Sequence, residues 1–190
     1  MKASTPFTVC GLSELNDFRS SGVTHVISIL DPGAPEPEML STYPPHSRTV
    51  LRFHDEIAPA PHVVLADYKD MEEILAVGRA AVHESAHVLI HCHLGISRST
   101  ATMAALLAVN HPHEAEDTIF ARVLRLRSNA WPNSRMIALA DDLLGRSGRL
   151  TRALGGLYAT QLARRPEFGR FLRDNGRGYE VDLAKGRAVL

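Results

Sequence analysis

The sequence predicts a small α/β domain, a central and mostly parallel sheet flanked by helices. Two observations carry this expectation. Short, β-branched apolar segments alternate with segments of helical period through the first half of the chain, and the second half is helical with little interruption. Strands separated by helices pair in parallel, because the intervening helix returns the chain to the same end of the sheet. Residues 1–165 are read as one domain, which is the default for a chain of 190 residues. Residues 166–190 are read as a C-terminal tail, docked or partly mobile.

Pro6-Phe-Thr-Val-Cys10-Gly11 opens as a short strand, and Ser13 is placed to cap a small helix through Ser20 that Gly22 ends. Thr24-His-Val-Ile-Ser-Ile-Leu30 is almost continuously apolar, the pattern of a strand buried on both faces. From Asp31 to Ser47 prolines recur without any steady period, so this stretch is expected as an ordered surface loop. Thr49–His54 resumes a strand and delivers Asp55 and Glu56 at its end. After Ala58-Pro-Ala-Pro61, Asp67 caps a helix to about Glu84, in which Met71, Ile74, Leu75, Gly78, Ala81 and Val82 recur at three- and four-residue spacing. His87–His91 is the next strand and Ser99–Val109 the next helix. Further helices are expected over His113–Ser128, Asn133–Leu144 and Arg149–Arg165, broken at Asn129-Ala-Trp-Pro132 and Gly145–Gly148.

Lys and Arg total 21 and Asp and Glu total 21, so the overall charge gives no reason to expect a nucleic acid partner. No apolar run approaches the roughly 20 residues that cross a bilayer, and Met1–Leu12 lacks a secretory pattern; no membrane span and a cytoplasmic location are expected. Two cysteines, Cys10 and Cys92, are too few for a disulfide scaffold. Cys10 reads as a small buried hydrophobe, with a redox partnership to Cys92 as the minority alternative.

The most informative stretch lies between the fourth strand and the helix after it. A strand ending in His91-Cys92, a loop of His93, Leu94, Gly95, Ile96 and Ser97, and Arg98 at a helix entrance together describe a phosphate-binding loop. Gly95 lets backbone approach without a side chain in the way, and the Arg98 guanidinium offers two parallel donors to an oxyanion. The same surroundings favour the thiolate of Cys92, the nucleophilic form. His91 is expected to organise the loop by a buried hydrogen bond. Ser99 is placed to donate to the cysteine sulfur, with Thr100 a weaker substitute.

His91-Cys92-His93-Leu94-Gly95-Ile96-Ser97-Arg98-Ser99 resembles the signature of the protein tyrosine phosphatase superfamily in its dual-specificity form: histidine, nucleophilic cysteine, five residues, arginine, then serine or threonine. The wider resemblance covers roughly Thr24 to Leu144, and the tail lies outside it. It implies the phosphatase fold and hydrolysis of a phosphate monoester through a phosphocysteine at Cys92, without cofactor or metal. It also implies a general acid on a separate loop. Asp55 fits that role best, at the end of a strand, with Asp67 as the main competitor, Glu56 a lesser one and Asp31 less well placed. The implied partners are a phosphorylated protein or a small phosphate monoester, with phosphate, sulfate or vanadate as site ligands.

Other functions fit the same residues less well. A phosphate-binding module without turnover and a phosphoinositide or inositol phosphate phosphatase both remain open, although the loop carries no lysine for a polyanionic head group. An arsenate reductase lacks an evident resolving pair of cysteines. A metal centre at His91, Cys92 and His93 is disfavoured because successive strand residues point to opposite faces.

Overall fold

The computed structural model describes residues 7–84 and 86–187; Pro6, expected in the first strand, and Ala188–Leu190, the end of the tail, lie outside the described residues. Four strands, β1 (Phe7–Cys10), β2 (His25–Leu30), β3 (Ser47–Arg52) and β4 (Val88–His91), form one sheet in the order β1-β4-β2-β3. Every pairing is parallel, with Cys10 and Ser28 both in register with His91.

All four strands therefore release the chain at one edge of the sheet, the carboxyl edge, where open α/β sheets bind their ligands. Gly11, Asp31, Asp55 and Cys92 all follow closely on strand ends there. In a parallel sheet residues far apart in sequence meet at this edge without any local signal.

The two faces are covered unequally. On one, Ile27, Ile29, Leu51, Val88 and Ile90 pack into the main core with the helices α1 (Tyr68–Glu84), α2 (Arg98–Asn110), α3 (Glu116–Leu126), α4 (Ser134–Leu143) and α5 (Arg149–Arg164). On the other, Val26, Leu89 and Cys10 meet Leu15, Leu40 and Tyr43, contributed by short 3₁₀ turns at Leu12–Phe18 and Glu38–Thr42 and by the residue after the second. The Tyr43 hydroxyl donates to the Leu15 carbonyl and ties the two turns together. The alternation of side chains along β2 thus serves two cores of different size.

Several boundaries differ from the sequence expectation for identifiable reasons. The segment after β1 is a 3₁₀ turn over Leu12–Phe18 capped at Gly11, not a Ser13-capped helix, because Glu14 accepts from the Gly11 amide at 2.6 Å. The proline-rich loop still buries Leu40. β3 begins two residues earlier than expected, in register with β2, and ends at Arg52; His54 instead closes the following loop, donating its amide to the Val64 carbonyl and accepting from the Val64 amide through Nδ1. α1 starts where Asp67 and Asp70 exchange side-chain and backbone bonds of 3.0 and 2.9 Å, a reciprocal cap.

Past α5 come two seven-residue helices, α6 (Phe168–Asp174) and α7 (Gly178–Ala184). Leu172, Val181 and Leu183 are buried in the main core. The close approach of α7 depends on Gly155, where a Cβ would lie 2.9 Å from the Leu183 carbonyl oxygen. No helix among the described residues is long and apolar enough to cross a membrane.

Candidate active site

The loop from Cys92 to Arg98 is shaped by what its carbonyl groups do. His93 O accepts from the Leu12 amide, Leu94 O and Gly95 O from the Arg127 guanidinium, Ile96 O from the Trp131 amide, and Ser97 O from the Ala101 and Asn133 amides. Each carbonyl from 93 to 97 is thus engaged by a donor outside the loop. A peptide N–H points away from its C=O, so the amides converge on the inside, and none of the amides of 93–97 donates a hydrogen bond among the described residues.

Gly95 is required by this path. Its φ is +70°, and a Cβ would meet the Cys10 carbonyl carbon at 2.5 Å. Gly11 permits the matching approach from β1, where a Cβ would lie 2.9 Å from the Leu94 carbonyl carbon.

Around the cradle, Cys92 Sγ is 3.2 Å from Ser99 Oγ. Arg98 is only 3% exposed, and its Nη1 donates to Asp31 Oδ1 and to the Phe53 carbonyl, both at 2.6 Å. These bonds pin one corner of the guanidinium, while Nε is buried and has no hydrogen-bond partner among the described residues. His91 is fully buried, with Nε2 2.7 Å from Ser28 Oγ, and burial pushes the imidazole down to about 4. Cys10 belongs to the core on the opposite sheet face from Cys92, and burial, reinforced by Glu14, pushes its thiol up to about 12.

Of the four candidate acids, three line one cleft and Asp67 does not. Asp55 lines a cleft of about 570 Å³ that also exposes Cys92, Ser97 and Arg98. Its Oδ1 accepts from Ser97 Oγ at 2.6 Å and from Asn133 Nδ2 at 2.9 Å. Glu56 and Asp31 line the same cleft, Asp31 tied to Arg98. Asp67 caps α1 and is not among the cleft residues.

Four residues of the site, Glu14, Arg127, Asn133 and Arg177, are not singled out by the sequence. Arg127, at the end of α3, holds the outer carbonyls of the loop while its fork grips both Glu14 oxygens at 2.8 Å. Asn133 accepts from the Met136 amide to cap α4 and donates to Asp55, so one amide side chain serves both. Arg177 lies between α6 and α7 and reaches Ser97 and Asp55. Apart from the cap at Asn133, where the sequence predicts a helix to start, the only available signal is residue type, since the contacts to the loop and to Asp55 span long sequence separations.

The far wall of the cleft is apolar. Trp131, Phe168, Phe171 and Leu172 line it together with Leu94 and Ile96, and Leu94 and Phe171 are 63% and 57% exposed. Trp131 stacks on Tyr158 at 4.2 Å and takes Phe168 on edge at 5.3 Å. A concave set of amides and an arginine below an apolar wall suits an oxyanion carried on an apolar group.

The fold is shared with solved phosphatase structures, among them a mouse putative dual specificity phosphatase, with a TM-score of 0.53 at 20% identity over 78% of this chain and 92% of that one. Human DUSP28 superposes with a TM-score of 0.59 at 19% identity, over 76% of this chain and 94% of that one. The human tyrosine phosphatase-like serine/threonine/tyrosine-interacting protein gives 0.52 at 20% identity, over 73% and 87%. PTPMT1 in complex with PI(5)P gives 0.55 at 12% identity, over 77% and 94%. At such identities the likeness is one of fold. No protein-family model matches the chain, and no curated protein matches it in sequence.

Proposed function

We propose that this protein hydrolyses phosphate monoesters through a covalent phosphocysteine at Cys92, as a protein-tyrosine or dual-specificity phosphatase. The observation that carries the proposal is the loop after Cys92, whose carbonyls are all bonded to donors outside it, which leaves its amides and Arg98 Nε without partners among the described residues. Fixed donors of this kind stabilise the charge of a transferring phosphoryl group without reorganising.

In the first step the Cys92 thiolate attacks phosphorus in line. The P–O ester bond breaks, and Asp55 gives its proton to the departing oxygen. Arg98 and the loop amides hold the three equatorial oxygens. In the second step water attacks the phosphocysteine, Asp55 takes its proton and the P–S bond breaks, releasing inorganic phosphate. Ser99 Oγ donates to the sulfur as it leaves as thiolate, consistent with the 3.2 Å separation. Asn133 and Ser97 hold Asp55 Oδ1, which leaves Oδ2 for the proton.

A phosphorylated lipid head group is the second reading, favoured by the apolar wall of Phe168 and Phe171 beside the loop. PTPMT1, of the same fold, is seen with PI(5)P.

Steady-state hydrolysis of para-nitrophenyl phosphate from pH 5 to 8 without added metal tests the proposal. Turnover in the wild type is expected, and Cys92→Ser should abolish it. A folded wild type that binds vanadate saturably but releases no product would instead identify a phosphate-recognition module.

A further inference from the structure

We propose that Arg177 is a positioning residue for Asp55, which makes the α6–α7 segment an integral wall of the active centre. This inference rests on the phosphatase reading with Asp55 as the general acid. Arg177 lies beyond the part of the chain that resembles the phosphatase signature, yet its side chain is only 12% exposed and stands in the cleft beside Asp55.

The guanidinium is held from behind. Its Nε and Nη2 each donate to Glu180 at 2.8 Å, in a forked pair. Glu180 is completely buried and accepts in addition from Trp131 Nε1 at 2.5 Å, the Ser134 amide at 3.0 Å and the Tyr158 hydroxyl at 3.0 Å. The carboxylate is therefore anchored to the core on all sides, and Arg177 inherits its fixed orientation.

Its forward edge meets the acid. Nη1 and Nη2 donate to Ser97 Oγ at 3.2 and 3.1 Å, and Nη1 lies 3.6 Å from Asp55 Oδ1. A hydroxyl has one proton and two lone pairs. With Arg177 donating into the lone pairs, the Ser97 proton is directed to Asp55 Oδ1, 2.6 Å away. Arg177 thus sets the polarity of the Ser97–Asp55 bond. Together with Asn133 it occupies Oδ1 and turns Oδ2 toward the reacting oxygen. A lysine reaching Glu180 cannot bind Ser97 and Asp55 with the same geometry, because it has no planar fork.

A pair serving packing alone gives a different kinetic signature from one acting through Asp55. General-acid assistance matters little for a leaving group as acidic as para-nitrophenol and much more for phenol. The test measures kcat/KM on para-nitrophenyl phosphate and phenyl phosphate for the wild type, Arg177→Lys, Asp55→Asn and the double variant Asp55→Asn/Arg177→Lys. Arg177→Lys keeps a cation beside Glu180, and Arg177→Gln/Glu180→Gln carries the same test with a neutral pair if the lysine variant does not fold.

We expect Arg177→Lys to lower kcat/KM about 10-fold on phenyl phosphate but by less than about 3-fold on para-nitrophenyl phosphate, and to have no further effect in the Asp55→Asn background. Equal losses on both substrates, no loss on either, or a loss that persists without Asp55 overturns the role. These outcomes require a wild type with Cys92-dependent turnover. If the wild type lacks it, the phosphatase reading falls and takes this inference with it.

Discussion

His91 sits directly before Cys92 and is wholly buried against Ser28, so its ring is accommodated as the neutral imidazole. Burial lowers its folded value to about 4 against an ordinary 6.5. The unfolded chain therefore binds a proton that the folded chain refuses between these two values. Stability is complete above pH 6.5 and is lost as pH falls toward 4, at about 1.4 kcal/mol per pH unit for the single group. Thermal midpoints of the wild type and His91→Gln between pH 7.5 and 4.5 check this. The wild type should lose stability more steeply on acidification, and parallel curves would exclude His91 as the source.

Gly95 and Gly11 act at the same scale by omission of a side chain. Where β1 ends, the two backbones touch closely enough that a single Cβ on either would displace Cys10 or Leu94 main chain. The loop therefore has little freedom to shift its amides.

Among the elements, α6 and α7 are each too short to be stable alone, and their place depends on what they dock against. The Glu180 carboxylate on α7 joins Trp131, Ser134, Tyr158 and Arg177, and so links the connection before α4 to α4, α5 and the final helix pair. Glu180→Ala strips the largely buried Arg177 of its forked carboxylate partner and leaves it only the longer approach to Asp55, and removing one member of such a buried pair costs about 3–5 kcal/mol. Urea unfolding should show this loss. A change under about 1 kcal/mol would mean that water takes over the carboxylate's role.

α3 is tied in similarly. Arg127 carries the register of that helix to the carbonyls of the loop, and Glu14 carries that of the first 3₁₀ turn to Arg127. The end of α3 and the first 3₁₀ turn thus hold the outer carbonyls of the loop together.

For the molecule as a whole, an oxyanion that binds the folded cradle and not the unfolded chain stabilises the fold by mass action, about 2.7 kcal/mol at a concentration of 100 times Kd. Inorganic vanadate should raise the melting temperature of the wild type, and Arg98→Ala should remove that rise. An equal rise in the Arg98→Ala protein would place the anion elsewhere.

The parallel sheet and the signature were readable before any coordinates. Val-Ile-Ser-Ile-Leu in β2 is apolar in nearly every position because both faces are covered, and a one-dimensional pattern suffices to display that. The strand–loop–helix run from Cys92 to Ser99 was equally legible, since its glycine, hydroxyl residues and arginine are consecutive along the chain. The tail was not legible as two docked helices, because Phe168, Leu172, Val181 and Leu183 are divided between two seven-residue pieces, too short to show a helical period.

The partners of the loop were out of reach for a different reason. Glu14 with Arg127, Asn133 with Asp55, and Arg177 with Ser97 are joined across wide sequence separations by polar contacts, which leave no periodicity along the chain. Asp55 and Asp67 are chemically equivalent as carboxylates on proline-bearing connections. Their difference in place arises only when β3 delivers one to the carboxyl edge of the sheet and α1 consumes the other as its cap. Local chemistry and burial patterns are written along the chain, whereas the meeting of distant charges depends on the packing of parallel strands and helices.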